Sequence, residues 1–179
     1  MHLLLASSSP RRKELMALLG LPYSIVVPED EEVLDLARSP AENAAANAQR
    51  KAQWVFSRQN PLDECIVVGV DTIVVQDNTV FEKPKNKTEL VHMLSAYSGS
   101  AHTVISAMCV VGKEQRVQRL SHTRVFVKPL SEQEIQAYSN TAEWKDKAGG
   151  YAIQGAFAKF ITRIEGSYFN VMGLDVSML

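Results

Sequence analysis

Hydrophobic positions along the chain change their period several times, and each change marks an element. Leu3-Leu4-Leu5 is an apolar run of strand length that meets Ser7-Ser8-Ser9-Pro10, after which Leu15, Leu18 and Leu19 recur at helical spacing. The pattern predicts a strand, a tight loop and a helix. Tyr23 to Val27 predicts a second strand, closed by Pro28 and the acidic run Glu29-Asp30-Glu31-Glu32. Ser39-Pro40-Ala41-Glu42 has the form of a capping box and opens an alanine-rich helix running to about Gln59. Cys65 to Val75 is β-branched and apolar at nearly every position, as in a strand covered on both faces. Asp77-Asn78 then predicts a turn, and Asn86 with Glu89 caps a short helix carrying Leu90, Met93, Leu94 and Tyr97. His102 to Val111 and Gln115 to Lys128, joined at Gly112-Lys113-Glu114, predict a β-hairpin, and Ser131-Glu132-Gln133-Glu134 opens a last helix through about Asn140. Strands interleaved with helices, without repeats or linkers, predict a single α/β domain over residues 1–179 with a mixed sheet flanked by helices.

Composition narrows the function. A chain of 179 residues with 46% hydrophobic content supports one substantial core. Its formal charge of −1 gives no overall attraction to nucleic acid or an anionic membrane, so neither is expected as a partner and any polyanion must be met by a local cluster. Cys65 and Cys109 lie in apolar runs without ligand spacing, which suits buried thiols in a reducing compartment. The first apolar run is too short for a signal peptide, its arginines follow it, and no run is long enough to span a membrane. The expected location is the cytoplasm.

Candidate chemistry begins at the first loop. Ser9 suits a helix N-cap and Pro10 the first helical position, so unpaired N–H groups, the positive end of the helix dipole and the guanidinium groups of Arg11 and Arg12 converge on one volume. That volume suits a phosphate; a capped surface helix with two solvated arginines fits the same spacing. Asp71 stands in the middle of the most apolar strand, where a carboxylate is costly unless paired, metal-bound or bonded to backbone N–H groups, and no cation adjoins it in sequence. Gly69 beside it marks a bulge or a ligand lying against the backbone. Pro84 holds Lys83 in an extended conformation on a loop near Asp71. The acidic run reads mainly as a solvated loop, which leaves open that one carboxylate faces a metal, and Lys51 has no assigned direction on its helix. Glycines around Lys145 to Gly155, where a strand with a polar residue near its end is expected, and again in Gly166 to Gly173, suit loops that approach a ligand. His102 and His122 have no second ligand at zinc spacing.

Taken together, Ser7-Ser8-Ser9-Pro10-Arg11-Arg12, Gly69-Val70-Asp71-Thr72, Lys83-Pro84, Ser98-Gly99 with His102, Asp146 to Gly155, Gly166-Ser167-Tyr168 and Val171-Met172-Gly173-Leu174 resemble the Maf family of nucleotide pyrophosphatases. The resemblance implies an α/β fold like that of the inosine triphosphate pyrophosphatases, a cleft beside the sheet, and hydrolysis of a nucleoside triphosphate to a monophosphate and pyrophosphate. It implies a divalent cation, Mg2+ or Mn2+, and a homodimer. Asp71 matches the family's proton acceptor and, with Glu32, a metal ligand; Lys83 joins Asp71 as catalytic, while Ser9, Arg12 and Lys51 match phosphate-binding positions. Arg11, Thr72 and Gln154 carry the residue types of the branch resembling dTTP and UTP hydrolases. A glutamine amide pairs with the N3–H and a carbonyl of uracil or thymine, but flipped it also suits cytosine, so discrimination needs its orientation fixed by neighbours. Two other readings stay open: a pyrophosphatase acting on 7-methyl-GTP or a modified pyrimidine nucleotide, or a nucleotide-binding regulator of septum formation without turnover. The sequence departs from the family pattern at Asp175, where a proline is usual, at Ala156-Phe157, where a second glycine is common, and in its short C-terminus.

Overall fold

A computed structural model describes residues 2–29, 32–60 and 64–179. Among the described residues seven strands form one sheet: β1 (His2–Ala6), β2 (Tyr23–Val26), β3 (Cys65–Gln76), β4 (Thr79–Phe81), β5 (Ala101–Val111), β6 (Arg116–Val127) and β7 (Ile161–Glu165). Their order is β2-β1-β3-β5-β6-β7, with β4 paired to β3. β1 lies parallel to β2 and β3, whereas β4, β5, β6 and β7 join antiparallel, so the sheet is mixed as expected. Five α-helices accompany it: α1 (Pro10–Ala17), α2 (Pro40–Phe56), α3 (Lys87–Tyr97), α4 (Glu132–Ser139) and α5 (Tyr168–Met172). No helix of the described residues is long and apolar enough to cross a membrane.

Helix α2 begins at the capping box expected from Ser39 and Glu42, but ends at Phe56, three residues before the expected stop. Its Ala44, Ala48 and Ala52 are fully buried. They lie against Gly69, where a Cβ would overlap the Ala48 carbonyl oxygen and stand 2.7 Å from the Ala52 nitrogen. The glycine in β3 therefore marks the close approach of a helix backbone, not of a ligand.

Residues alternate across β3. Val67 joins the α2-side core with Leu4, Ala6 and Cys109, while Val68 and Val70 join the opposite core with Leu5, Leu15, Met16 and Leu174. A third cluster, around Tyr97, Trp144, Tyr151 and Phe157, closes the far end. Cys65 and Cys109 are buried free thiols.

Two readings of the last third are corrected. Tyr151 to Gly155 forms no strand, because the backbone passes from a short 3-10 turn at Ala148–Gly150 to another at Ala156–Phe160 without a ladder partner. Residues 168–172 are helical, with Ser167 capping Asn170 and Gly173 closing the helix at φ 117°. A short apolar stretch with glycines at both ends lacks the periodicity that would announce a helix of five residues.

Candidate active site

The cleft follows from an interruption in the sheet. β3 pairs with β5 along one edge from Val67 to Val75. Its other edge is covered by β1 only as far as Gly69, opposite Ala6, and by β4 only from Val74, opposite Phe81. Between them Val70 to Ile73 carry an edge without a strand partner, at the point where the parallel strands β1 and β2 end. Crevices beyond the carboxyl ends of parallel strands are the usual ligand sites of open α/β sheets. Asp71 and Thr72 are neighbours on this segment, so their side chains leave on opposite faces.

On the α2 face, Asp71 is 3% exposed. Its Oδ1 accepts from Lys51 Nζ at 2.6 Å and its Oδ2 from Asn47 Nδ2 at 3.2 Å. The same ammonium reaches Glu32 Oε1 at 2.7 Å and the Val70 carbonyl at 3.4 Å. Lys83 approaches Glu32 Oε2 at 3.5 Å. Partial burial works against ionisation of Glu32, but Lys51, with Lys83 and Arg12, outweighs it and holds the carboxyl at about 2. Glu29 is exposed, in keeping with a solvated acidic run; Asp30 and Glu31 lie outside the described residues.

A polar stripe on α2 assembles this half of the site. Asn43, Asn47 and Lys51 stand four residues apart, one above the other on a helix face. Asn43 Oδ1 accepts from the Asp35 amide at 2.8 Å, and Asn47 Oδ1 from the Val33 amide at 3.1 Å. These bonds hold the segment after β2 against α2, bringing Glu32 to Lys51. The spacing was visible in the sequence, but its alanine-rich setting did not tell which face met the sheet.

On the other face the first loop supplies the cations. Ser9 occupies the N-cap position, yet its hydroxyl makes no capping bond; its amide instead donates to Ser7 Oγ at 3.2 Å. Arg12 donates from Nε to the Gly173 carbonyl at 2.9 Å and from an Nη to Thr72 Oγ1 at 3.0 Å. The Thr72 hydroxyl also bonds Ser106 Oγ at 2.9 Å and the Gly173 carbonyl at 3.2 Å, so its capacity is filled by protein groups. Arg11 donates to the Met172 carbonyl at 3.2 Å. Burial lowers the pKa of both guanidinium groups, opposed at Arg12 by Asp71 and Glu32. The C-terminal turn of α5, absent from the sequence reading, is thus what both arginines grip.

These faces meet in a cavity of about 700 Å3, lined by Ser9, Arg11, Arg12, Glu32, Lys51, Thr72, Lys83 and Gln154 among others. Asp71 borders an adjoining cavity of about 210 Å3 that shares Glu32, Thr72 and Lys83 with it. All the residues singled out in the sequence therefore come together. Lys145 and Lys147, not singled out before, add to the cationic wall; burial and the neighbouring Arg11 lower the pKa of Lys147. Gln154 is exposed on the cavity wall and its side chain makes no hydrogen bond among the described residues.

The donor set fits a hard divalent cation. The Lys51 ammonium already sits between Glu32 and Asp71, so the carboxylates are close enough to share one positive charge, and both are oxygen donors. Among the described residues no third acidic, histidine or cysteine ligand joins them. The remaining ligands would come from substrate phosphates and water, the usual habit of Mg2+.

Comparison with known proteins follows the same outline. A family model described as Maf-like protein matches residues 2–179. A dTTP/UTP pyrophosphatase of Bacillus velezensis is 42% identical over 98% of this chain and 92% of its own length. Proteins of the same name from Treponema denticola and Vibrio parahaemolyticus are 40% and 42% identical, covering 99% and 98% of this chain and 93% and 92% of theirs. A solved nucleoside-triphosphatase / dITP/XTP pyrophosphatase from Mycobacterium abscessus has a TM-score of 0.39 and 20% identity, over 71% of this chain and 74% of that one.

Proposed function

The chain belongs to the Maf family, and on that premise we propose that it hydrolyses dTTP and UTP to the nucleoside monophosphate and pyrophosphate, clearing such nucleotides from the cytoplasmic pool. The observation that carries this reading is the pairing of a buried carboxylate, Asp71, with a wall of arginine and lysine side chains across one interrupted strand edge. A site that only bound nucleotides would need the cations and not the carboxylate.

Each group has a role in that reaction. Arg11, Arg12, Lys83 and the first-turn amides after Ser9 neutralise the triphosphate and the charge that builds on the leaving pyrophosphate. Arg12 is held by Gly173 and Thr72, so its direction is set before substrate arrives, and Thr72 acts on the substrate through Arg12. Asp71 accepts the proton of the attacking water, with Asn47 fixing the orientation of its carboxylate. Lys51 bridges Asp71 and Glu32 and brings one positive charge to both carboxylates. Glu32 and Asp71 would hold a divalent cation, which would supply neutralisation of phosphate charge and a lowered pKa for bound water. Gln154 reads the base through a donor and an acceptor in one plane.

The test is pyrophosphate release from dTTP, UTP, CTP and 7-methyl-GTP with Mg2+ or Mn2+. Turnover of dTTP and UTP ahead of the others supports the proposal. Reaction of 7-methyl-GTP alone overturns the assignment of Gln154, and binding without turnover of any nucleotide overturns the enzyme.

A further inference from the structure

Gln154 is exposed, and its side chain makes no hydrogen bond among the described residues. Its position must come from its backbone, and the side chain that bonds the backbone just beyond it is Glu143, alongside the main-chain bonds from the Gly155 amide to the Ala152 carbonyl at 3.2 Å and from the Ala158 amide to the Gly155 carbonyl at 3.0 Å. The Glu143 carboxylate accepts from the Ala156 amide at 2.6 Å and the Phe157 amide at 3.3 Å, the two residues that follow Gln154-Gly155. It also accepts from Tyr138 Oη at 2.9 Å, whose ring packs edge-on against Phe157 at 5.3 Å. Burial and the carboxylate raise the Tyr138 pKa, so the phenol stays a donor. Gly155 fits beneath the carboxylate because it has no Cβ: one built there would overlap Glu143 Oε2 and stand 2.7 Å from Oε1. Glu143 also heads the segment whose Lys145, Asp146, Lys147 and Ala148 line the cavity beside Gln154. One carboxylate thus ties together the two stretches that form this end of the cleft.

We propose that Glu143 is a positioning residue for base discrimination, fixing the backbone from which Gln154 meets the pyrimidine. It does not touch the reacting phosphates or Asp71. The inference rests on Gln154 reading the base.

The replacement Glu143→Gln keeps the shape but places an amide donor among N–H and O–H donors, so one of the three bonds is lost. The experiment compares kcat/KM for dTTP, UTP and CTP in the natural chain, Glu143→Gln, Gly155→Ala and Gln154→Ala, with the melting temperature of each. The expected result is a fall of about tenfold in the preference for dTTP and UTP over CTP in both Glu143→Gln and Gly155→Ala, carried mainly by KM. A purely structural carboxylate would lower the melting temperature and leave that preference unchanged. If Gln154→Ala abolishes the preference while Glu143→Gln and Gly155→Ala stay within about twofold of the natural ratio, Glu143 has no such role. If Gln154→Ala leaves the preference intact, the base is read elsewhere and the proposal falls with that reading. Should Gly155→Ala fail to fold, Glu143→Gln alone decides.

Discussion

Single residues at this site are held by close opposing demands. Gly69 is a glycine because α2 runs over it, and Gly69→Ala would drive a Cβ into the Ala48 carbonyl and the Ala52 amide, both backbone groups of a buried helix. The expected loss of stability is about 3 kcal/mol, the upper end of overpacking costs, read from denaturant unfolding. Lys51 is 7% exposed and lies on a carboxylate that is 3% exposed. Lys51→Met would leave Asp71 buried with only Asn47 as a partner, and breaking such a pair costs about 3 to 5 kcal/mol. Stability measured at neutral pH checks it, and the loss should shrink in Lys51→Met/Asp71→Asn, where no charge is left uncompensated. The sequence marked Asp71 as costly because its neighbours are apolar. Its cation could not be read, since Lys51 lies on another element and its direction depends on the packing of Ala48 and Ala52 against Gly69.

Elements place those residues. The stripe Asn43, Asn47 and Lys51 makes α2 both a wall of the core and the anchor for the Glu32 segment. Asn47→Leu removes the bond to Asp71 and the hold on Val33 together, and the expected effect is a fall in kcat of at least about tenfold. Steady-state kinetics at saturating nucleotide checks it. Strand β5 contributes differently. His102 Nε2 meets Tyr151 Oη at 2.7 Å, the Tyr97 ring stacks on the imidazole at 4.2 Å, and burial lowers the histidine pKa to about 3. The fold keeps His102 neutral, whereas the unfolded chain protonates it below its ordinary value of 6.5. Protons then favour unfolding, so stability is complete above that value and falls by about 1.4 kcal/mol per pH unit from there toward pH 3. Chemical denaturation at several pH values should show this slope in the natural chain and a shallower one in His102→Gln. The long elements were legible because a β-branched run, capping boxes and hairpin turns each leave a local signature. Helix α5 and strand β7 were not: five residues apiece give too little periodicity, and β7 is placed by its pairing with β6 and the end of α5 by Arg11 and Arg12, far away in the chain.

Across the whole molecule, function follows from a sheet that changes direction. β1 and β2 run parallel to β3 and stop, β4 turns back onto β3 further along, and the stretch between faces the cleft. Asp71 leaves that stretch toward α2 and Thr72 toward α1 and α5, so the carboxylate proposed to activate water and the hydroxyl that holds Arg12 come from adjacent residues. The departures from the family pattern leave this arrangement untouched: Asp175 is buried, accepts from Ser121 Oγ at 2.7 Å and Ser177 Oγ at 2.7 Å, and caps the final 3-10 turn. Those bonds outweigh its burial and hold its pKa below the usual value. Phe157, of the Ala156-Phe157 pair, fills the core beside Tyr138 and Tyr151. In the proposed reaction Asp71 activates water for attack on a bound pyrimidine triphosphate. The direct measurement is pyrophosphate release from dTTP with Mg2+ or Mn2+ by the natural chain and by Asp71→Asn, alongside dTTP binding. Loss of at least about a hundredfold in kcat with dTTP still bound is the predicted result. Release at the natural rate by Asp71→Asn would contradict it.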